Sequence, residues 1–224
     1  AKITRELVSK SNDNDIKNLL IMVDGEGDLA AKNNSKREKA IENHIKWIEM
    51  AHELGCHSIR VNLNGEKQKE NWIEYSSKSL TKLCSIAEKD KINIIVENHG
   101  GLSSNAKLLA KVMKEVNLDN CGTLPDFGNF CIEKEDPNNY FSNCINEYDK
   151  YLGMEELMPY AKAVSAKSFD FNNNGEESTI DFKRIIDIVR SFEYKGYYGI
   201  EYEGLNLSEE KGILKTKKLL ERHL

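Results

Sequence analysis

Ile92-Asn93-Ile94-Ile95-Val96-Glu97-Asn98-His99-Gly100-Gly101 is the stretch on which the reading of this chain turns. A β-branched apolar run this short, flanked by polar residues, predicts a strand rather than a helix. A parallel strand covered on both faces stays apolar along its length and changes character only where it emerges. Here a carboxylate, an amide and an imidazole stand at the emergence, at the carboxyl end, where α/β folds place their sites. Alone, the strand also supports a plainer account, with Glu97 a solvated acid and His99 a loop residue. Later strands end the same way, and that repetition favours a site.

Working outward, residues 1–10 read as the tail of a helix, 11–15 as a polar turn, and 19–23 as a strand ending in Asp24-Gly25-Glu26-Gly27. Ser35 and Glu38 have the spacing of a capping box, and Ile41, Ile45, Ile48 and Ala51 then share one helix face up to Gly55. Residues 58–63 form the next strand, and 71–88 a helix with Trp72, Ser76, Leu80, Leu83 and Ala87 inward. A helix from near Ser104 buries Leu108, Leu109, Val112, Met113 and Val116. Residues 121–129 are placed as a strand by rhythm, since Pro125 is disfavoured in a ladder. Tyr140, Cys144, Ile145 and Tyr148 mark a following helix. The last strands are 163–171 and 198–204, separated by a helix with Phe182, Ile185, Ile186, Val189 and Phe192 inward. A closing helix carries Ile213, Leu219 and Leu220.

Strand and helix alternate with no hairpin dipeptide between them, which predicts an α/β fold with a parallel sheet. A doubly wound sheet and a (β/α)8 barrel both fit. The glycine-rich dinucleotide loop is missing while strand-end acids recur, so the barrel is favoured. About six strands are counted where a barrel has eight. The expectation is therefore a single domain over residues 1–224 that lacks the first two βα units. Open sheet edges in such a fragment favour association, making a homo-oligomer possible.

The chain has 32 basic and 37 acidic side chains and a net charge of −5, which argues against a duplex nucleic-acid partner and suits a small substrate. No apolar run is long enough to span a bilayer. The five cysteines, at 56, 84, 121, 131 and 144, have neither CxxC nor zinc-knuckle spacing. They read mostly as core thiols in a reducing compartment, hence a cytoplasmic expectation.

The strand ends contribute Asp24 and Glu26, Arg60 and Asn62, Glu97 and His99, Asp126 and Asn129, Ser165 and Lys167, and Glu201 and Glu203. Carboxylates converging at one barrel mouth repel unless a cation or proton neutralises them. Oxygen ligands suit Mg²⁺ or Mn²⁺, less so Co²⁺ or Zn²⁺. Glu97 and Glu201, from well-separated strands, form the natural opposing acid/base pair for moving a proton α to a carbonyl. Glu203 shares the parity of Glu201 and competes with it as a ligand. Lys167 reads either as a contact to a substrate oxyanion or phosphate, or as a salt bridge offsetting its own burial. Gly100-Gly101 with Ser103 and Ser104 reads as a serine-capped turn ahead of a phosphate cradle. His44, His52, His57 and His223 read as structural or surface residues.

The segments Glu97-Asn98-His99-Gly100-Gly101-Leu102-Ser103-Ser104, Leu124-Pro125-Asp126-Phe127-Gly128-Asn129-Phe130, Met158-Pro159-Tyr160-Ala161-Lys162, Val164-Ser165-Ala166-Lys167-Ser168 and Gly199-Ile200-Glu201-Tyr202-Glu203-Gly204 resemble the sugar phosphate isomerase/epimerase family, in the xylose-isomerase-like TIM-barrel superfamily. The resemblance implies a divalent metal held by Glu, Asp, His and Glu, with the two glutamates passing a proton through an enediolate. By position it assigns metal binding to Glu97, Asp126 and Glu201, catalysis to Glu97 and Glu201, and substrate contacts to His99, Asn129, Lys167 and Glu203. Two departures stand out: Ser165 falls where the resemblance expects a histidine ligand, and Asn129 where related epimerases often have a substrate-binding histidine. The implied activity is isomerisation or epimerisation of a small sugar, keto-sugar, polyol derivative or sugar phosphate. Rival readings are an endonuclease IV-like phosphodiester hydrolase, a non-catalytic sugar-binding relative, and a dehydratase or lyase using the same enolate chemistry.

Overall fold

The short β-branched runs become parallel strands because each alternates with an amphipathic helix that covers it. A computed structural model describes residues 2–139 and 142–224, so Tyr140 lies outside the described residues. The chain divides into two units, Ala1–Glu97 with Lys111–Gly122, and Asn98–Ala110 with Thr123–Leu224.

In the first unit, α1 (Lys2–Asp13), β1 (Leu20–Met22), α2 (Asn34–Leu54), β2 (Ser58–Val61), α3 (Lys69–Ala87) and β3 (Asn93–Glu97) follow in order. The strands are parallel, with Ile21 opposite Ile59 and Val61 opposite Val96. They lead into β4 (Cys121–Leu124), ahead of which the Ile94 amide donates to the Asn120 carbonyl at 2.8 Å. Ile59, Val61, Ile94, Ile95 and Val96 are fully buried, as a sheet covered by helices requires. The predicted inner face of α3 is buried throughout, and Trp72 anchors it by donating Nε1–H to the Leu63 carbonyl. Helix α2 is capped by Asn33, whose side chain accepts from the Lys36 amide, and not by Ser35, which lies within the helix. Gly55 ends it in the left-handed region at φ 74°.

The second unit holds part of α4 (Ala106–Val116), the end of β4, β5 (Cys131–Lys134), β6 (Cys144–Glu147), α5 (Lys150–Leu157), β7 (Val164–Ser168), α6 (Phe182–Ser191), β8 (Tyr198–Tyr202) and α7 (Glu209–His223). Strands β7 and β8 pair in parallel with Ser165 opposite Gly199 and Lys167 opposite Glu201. Single bridges from Thr123 to Ala161 and from Asp126 to Ser165 carry the chain after β4 alongside β7. Asp149 and Asp181 cap α5 and α6 by accepting backbone amides. Phe127 and Phe182 meet edge to face at 5.4 Å in the core.

Some apolar positions differ from the expected pattern. Phe192 is 40% exposed because α6 stops at Ser191, so the residue leaves the inner stripe. Ile213 is 45% exposed because the buried stripe of α7 runs through Gly212, Thr216, Leu219 and Leu220. Leu108 is only half-buried.

The larger correction concerns 144–148. In place of a helix, β5 and β6 form an antiparallel hairpin clipped by a Cys131–Cys144 disulfide. Helix formation waits for the Asp149 cap. Cys56, Cys84 and Cys121 are buried free thiols, as expected, but the other two are not, and a disulfide persists in oxidising surroundings. The hairpin is tied down at its base by the Tyr148 amide donating to the Phe130 carbonyl at 2.9 Å. Phe130 is fully buried, and a Cβ on Gly153 would come within 2.2 Å of its ring, so only glycine lets α5 pack there. Among the described residues no helix is long and apolar enough to cross a membrane.

Reducing Cys131–Cys144, or replacing both with serine, is expected to loosen the hairpin while leaving the parallel strands intact. For a link spanning 13 residues the loss is at most about 3 kcal/mol. Hydrogen exchange should show faster amides in 131–147 and unchanged protection in 93–97 and 164–168.

Candidate active site

The second unit gathers its chemistry where β4, β7 and β8 end. Lys167 projects from β7 and its side chain is fully buried, with Nζ 3.3 Å from Glu201 and 3.0 Å from Glu203. Burial pulls its pKa down, but Asp126, Glu201 and Glu203 outweigh that and hold it above the usual lysine value. The ammonium therefore stays charged. Its aliphatic stem packs against Gly128, where a Cβ would stand 3.2 Å from Cγ and Cδ.

Asp126 is fully buried. Its Oδ1 accepts the Gly128 and Asn129 amides at 2.8 Å each, a turn that the Asp-Phe-Gly-Asn order makes possible. Its Oδ2 is buried and takes neither turn amide, and the Ser165 hydroxyl close to the carboxyl favours the charged form. Burial pushes the carboxyl up to about 7, against the pull of Lys167 and with the help of the Glu201 charge. Glu201 is about a third exposed; Oε1 faces Lys167, and Oε2 accepts from the Ser165 hydroxyl at 3.1 Å.

Asn98, quoted in the sequence reading but given no role there, fastens this corner. Its Oδ1 accepts the Asp126 amide at 2.8 Å, and its Nδ2 donates to the Asp126 and Asn129 carbonyls at 3.0 and 3.2 Å. A buried amide next to a strand-end acid was the available signal. Asn129 is half-buried in the same turn, its carbonyl also accepting from Ser104 at 2.6 Å. His99 is exposed, its amide bound to the Ser103 hydroxyl, and the Gly100 amide is bound to Ser104. The serine-capped turn is thus formed, with Gly100 and Gly101 at φ 84° and 60°.

In the first unit Glu97 closes β3 with a fully buried side chain, and Arg60 from β2 meets it at 3.0 Å. Arg60 also reaches Asp24 at 2.8 Å, and the Asn62 amide donates to the same Asp24 oxygen at 2.6 Å. Glu26 is engaged on α2, accepting from Trp47 at 2.7 Å and paired with Lys46 at 2.6 Å. The remaining histidines are locally bonded: His44 to the Ala40 carbonyl, His52 to the Asp90 carbonyl, His57 to Ser58 and His223 to Glu176.

The sequence matches the family model for the xylose isomerase-like TIM barrel over residues 2–223. The chain belongs to that family. Solved structures similar to this xylose isomerase-like chain include the Escherichia coli 3-keto-D-glucoside 4-epimerase in its apo form, at 13% identity and TM-score 0.75, covering 98% of this chain and 84% of that one. A D-tagatose 3-epimerase-like protein aligns at 18% identity and TM-score 0.73, covering 99% and 82%. The IOLI protein with a binding zinc atom aligns at 16% identity and TM-score 0.73, also covering 99% and 82%. At these identities the likeness establishes the fold. No protein in the curated comparison matches the chain.

Two outcomes follow from the buried charges. Arg60→Met deprives Glu97 of its guanidinium, and urea unfolding should show a loss on the order of 3–5 kcal/mol. For Asp126 the raised pKa means that the folded state holds a proton that the unfolded state has released between pH 3.8 and about 7. Its contribution to stability therefore falls as pH rises through that window. Asp126→Asn keeps the acceptor for both turn amides and carries no charge. It should match wild type near pH 4 and exceed it above pH 7 in metal-free buffer, by at most on the order of 4 kcal/mol, read from melting or urea midpoints.

Proposed function

We propose that this protein is a metal-dependent isomerase or epimerase of a small sugar, keto-sugar, polyol derivative or sugar phosphate. The observation that carries the reading is the Asp126–Lys167–Glu201–Glu203 cluster at the carboxyl ends of parallel strands. Family membership supports it, as does the recurrence of sugar epimerases among the similar structures.

The proposed ligands of a divalent ion, Mn²⁺ or Mg²⁺ before Co²⁺ or Zn²⁺, are Glu97, Asp126 and Glu201. The donor chemistry fits: Asp126 keeps a buried Oδ2 that neither turn amide uses, and all three residues offer carboxylates. When bound, the ion supplies positive charge where the two oxygens of an enediolate develop negative charge.

The chain's own residues carry the proton. One of Glu97 and Glu201 removes it from the carbon next to a carbonyl, and the bonding pair moves onto the carbonyl oxygen to give the enediolate. The other carboxyl returns a proton to the opposite face for epimerisation, or to the neighbouring carbon for isomerisation, in which case the hydroxyl proton passes to the former carbonyl oxygen. Ser165 fixes the Glu201 carboxylate in direction, and Arg60 does so for Glu97. Asn98 sets the Asp126 turn and with it Asn129, which together with the exposed His99 is assigned to substrate hydroxyls. Lys167 and Glu203 set the charge behind the carboxylates.

Cytoplasmic residence is part of the reading made from cysteine usage, and the Cys131–Cys144 bond bears on it: thiols found reduced in protein taken from its native compartment would support it, an intact bond would count against it.

The mechanism is tested by solvent-deuterium incorporation at the carbon next to the carbonyl, using a panel of ketoses, inosose-type polyols and their phosphates with Mn²⁺. Glu97→Gln and Glu201→Gln should each lower incorporation by about 10²–10⁴-fold. Wild-type rates in both variants would sink the mechanism.

A further inference from the structure

Both oxygens of Glu201 are already engaged from within the chain. Oε1 lies 3.3 Å from the Lys167 ammonium, and Oε2 accepts from the Ser165 hydroxyl. Ser165 and Lys167 sit two residues apart on β7 and so face the same way, while the parallel register sets Lys167 opposite Glu201. Glu203 also holds the ammonium, at 3.0 Å. Lys167 has no exposed surface, so it cannot leave the cluster for water. It is a fixed positive charge among the carboxylates that the proposed metal uses.

We propose, on the metal-dependent reading above, that Ser165 and Lys167 form a clamp on Glu201 that competes with the divalent ion, so that metal occupancy in this chain is weak and set by these two residues. Coulomb's law gives the direction. A dication sharing Glu201 comes within a few ångströms of an immovable ammonium, and that repulsion is felt strongly where water is excluded. The hydroxyl acts in the same sense, because it donates to the carboxylate and takes up a lone pair that a metal would otherwise use. Ser165 and Lys167 are thus positioning residues. They hold Glu201 aimed without metal, and they make the ion an exchangeable partner.

The test measures Mn²⁺ binding on the purified chain by calorimetry and by the loss of the free-ion magnetic resonance signal. Lys167→Met is expected to bind Mn²⁺ at least tenfold more tightly than wild type, and Ser165→Ala about threefold more tightly. Removing the ammonium leaves buried carboxylates uncompensated, so the metal-free Lys167→Met variant should melt lower and be rescued by Mn²⁺ with a larger Tm rise than wild type shows. Ser165→Ala is isosteric enough to fold and gives a second, independent reading. Mn²⁺ affinities equal to or weaker than wild type in both variants would overturn the clamp. The metal-dependent reading has a separate readout: if Mn²⁺ binds but no ketose exchanges its proton, that reading falls while the ratio of affinities still decides the clamp.

Discussion

An ammonium with no contact to water has to be answered by negative charge, and Lys167 imposes that condition on everything near it. Taking an ion out of water is costly, and the cost is recovered only when close, well-placed partners surround it. Asp126, Glu201 and Glu203 are those partners. Their placement rests on backbone geometry: the parallel β7–β8 register, the Asp126–Ser165 bridge and the Asp-Phe-Gly-Asn turn. Gly128 belongs to the same demand, since its missing side chain is what lets the lysine stem pass.

The first unit solves the same problem with the opposite sign. There the enclosed ion is the Glu97 carboxylate, and the planar Arg60 guanidinium answers it while reaching out to Asp24 near the surface. The Arg60–Glu97 pair lies within the first unit and the Lys167 pairs with Glu201 and Glu203 within the second. Neither Lys167 nor Arg60 is exchangeable for an apolar residue of similar volume without leaving an acid to pay for its own burial.

The parallel strands were legible because a strand buried on both faces has an apolar signature, and 58–61, 93–97 and 164–168 show it or sit in its rhythm. Helix ends were less so. Asn33 and Ser35 are both good caps, and only the backbone entering at Asn33 decides between them. The stretch 144–148 misled because Cys144, Ile145 and Tyr148 also satisfy a hairpin and its base, and a cross-link between Cys131 and Cys144 leaves no spacing signal in a chain with five cysteines. At the site, Asp126, Glu201, Glu203, Ser165 and Lys167 were all found by strand-end position, and the structure brings them together. Lys167 takes the buried ion pair, one of the two roles its sequence allowed. Asn98 received no role from the linear reading because its partners are backbone groups some thirty residues downstream.

Ser165 shows how one atom's hydrogen-bonding character changes a site. A neutral imidazole there would present a lone pair and add a ligand to a cation. A hydroxyl at the same strand position donates instead, and its donation goes to Glu201. For the proposed metal, serine at this position offers a weaker ligand than an imidazole and also occupies a lone pair of the neighbouring Glu201 carboxylate. The proposed all-oxygen set would suit a hard, fast-exchanging ion better than a tightly held zinc. The same hydroxyl leaves Glu201 aligned, which its proposed role of taking a proton from carbon requires.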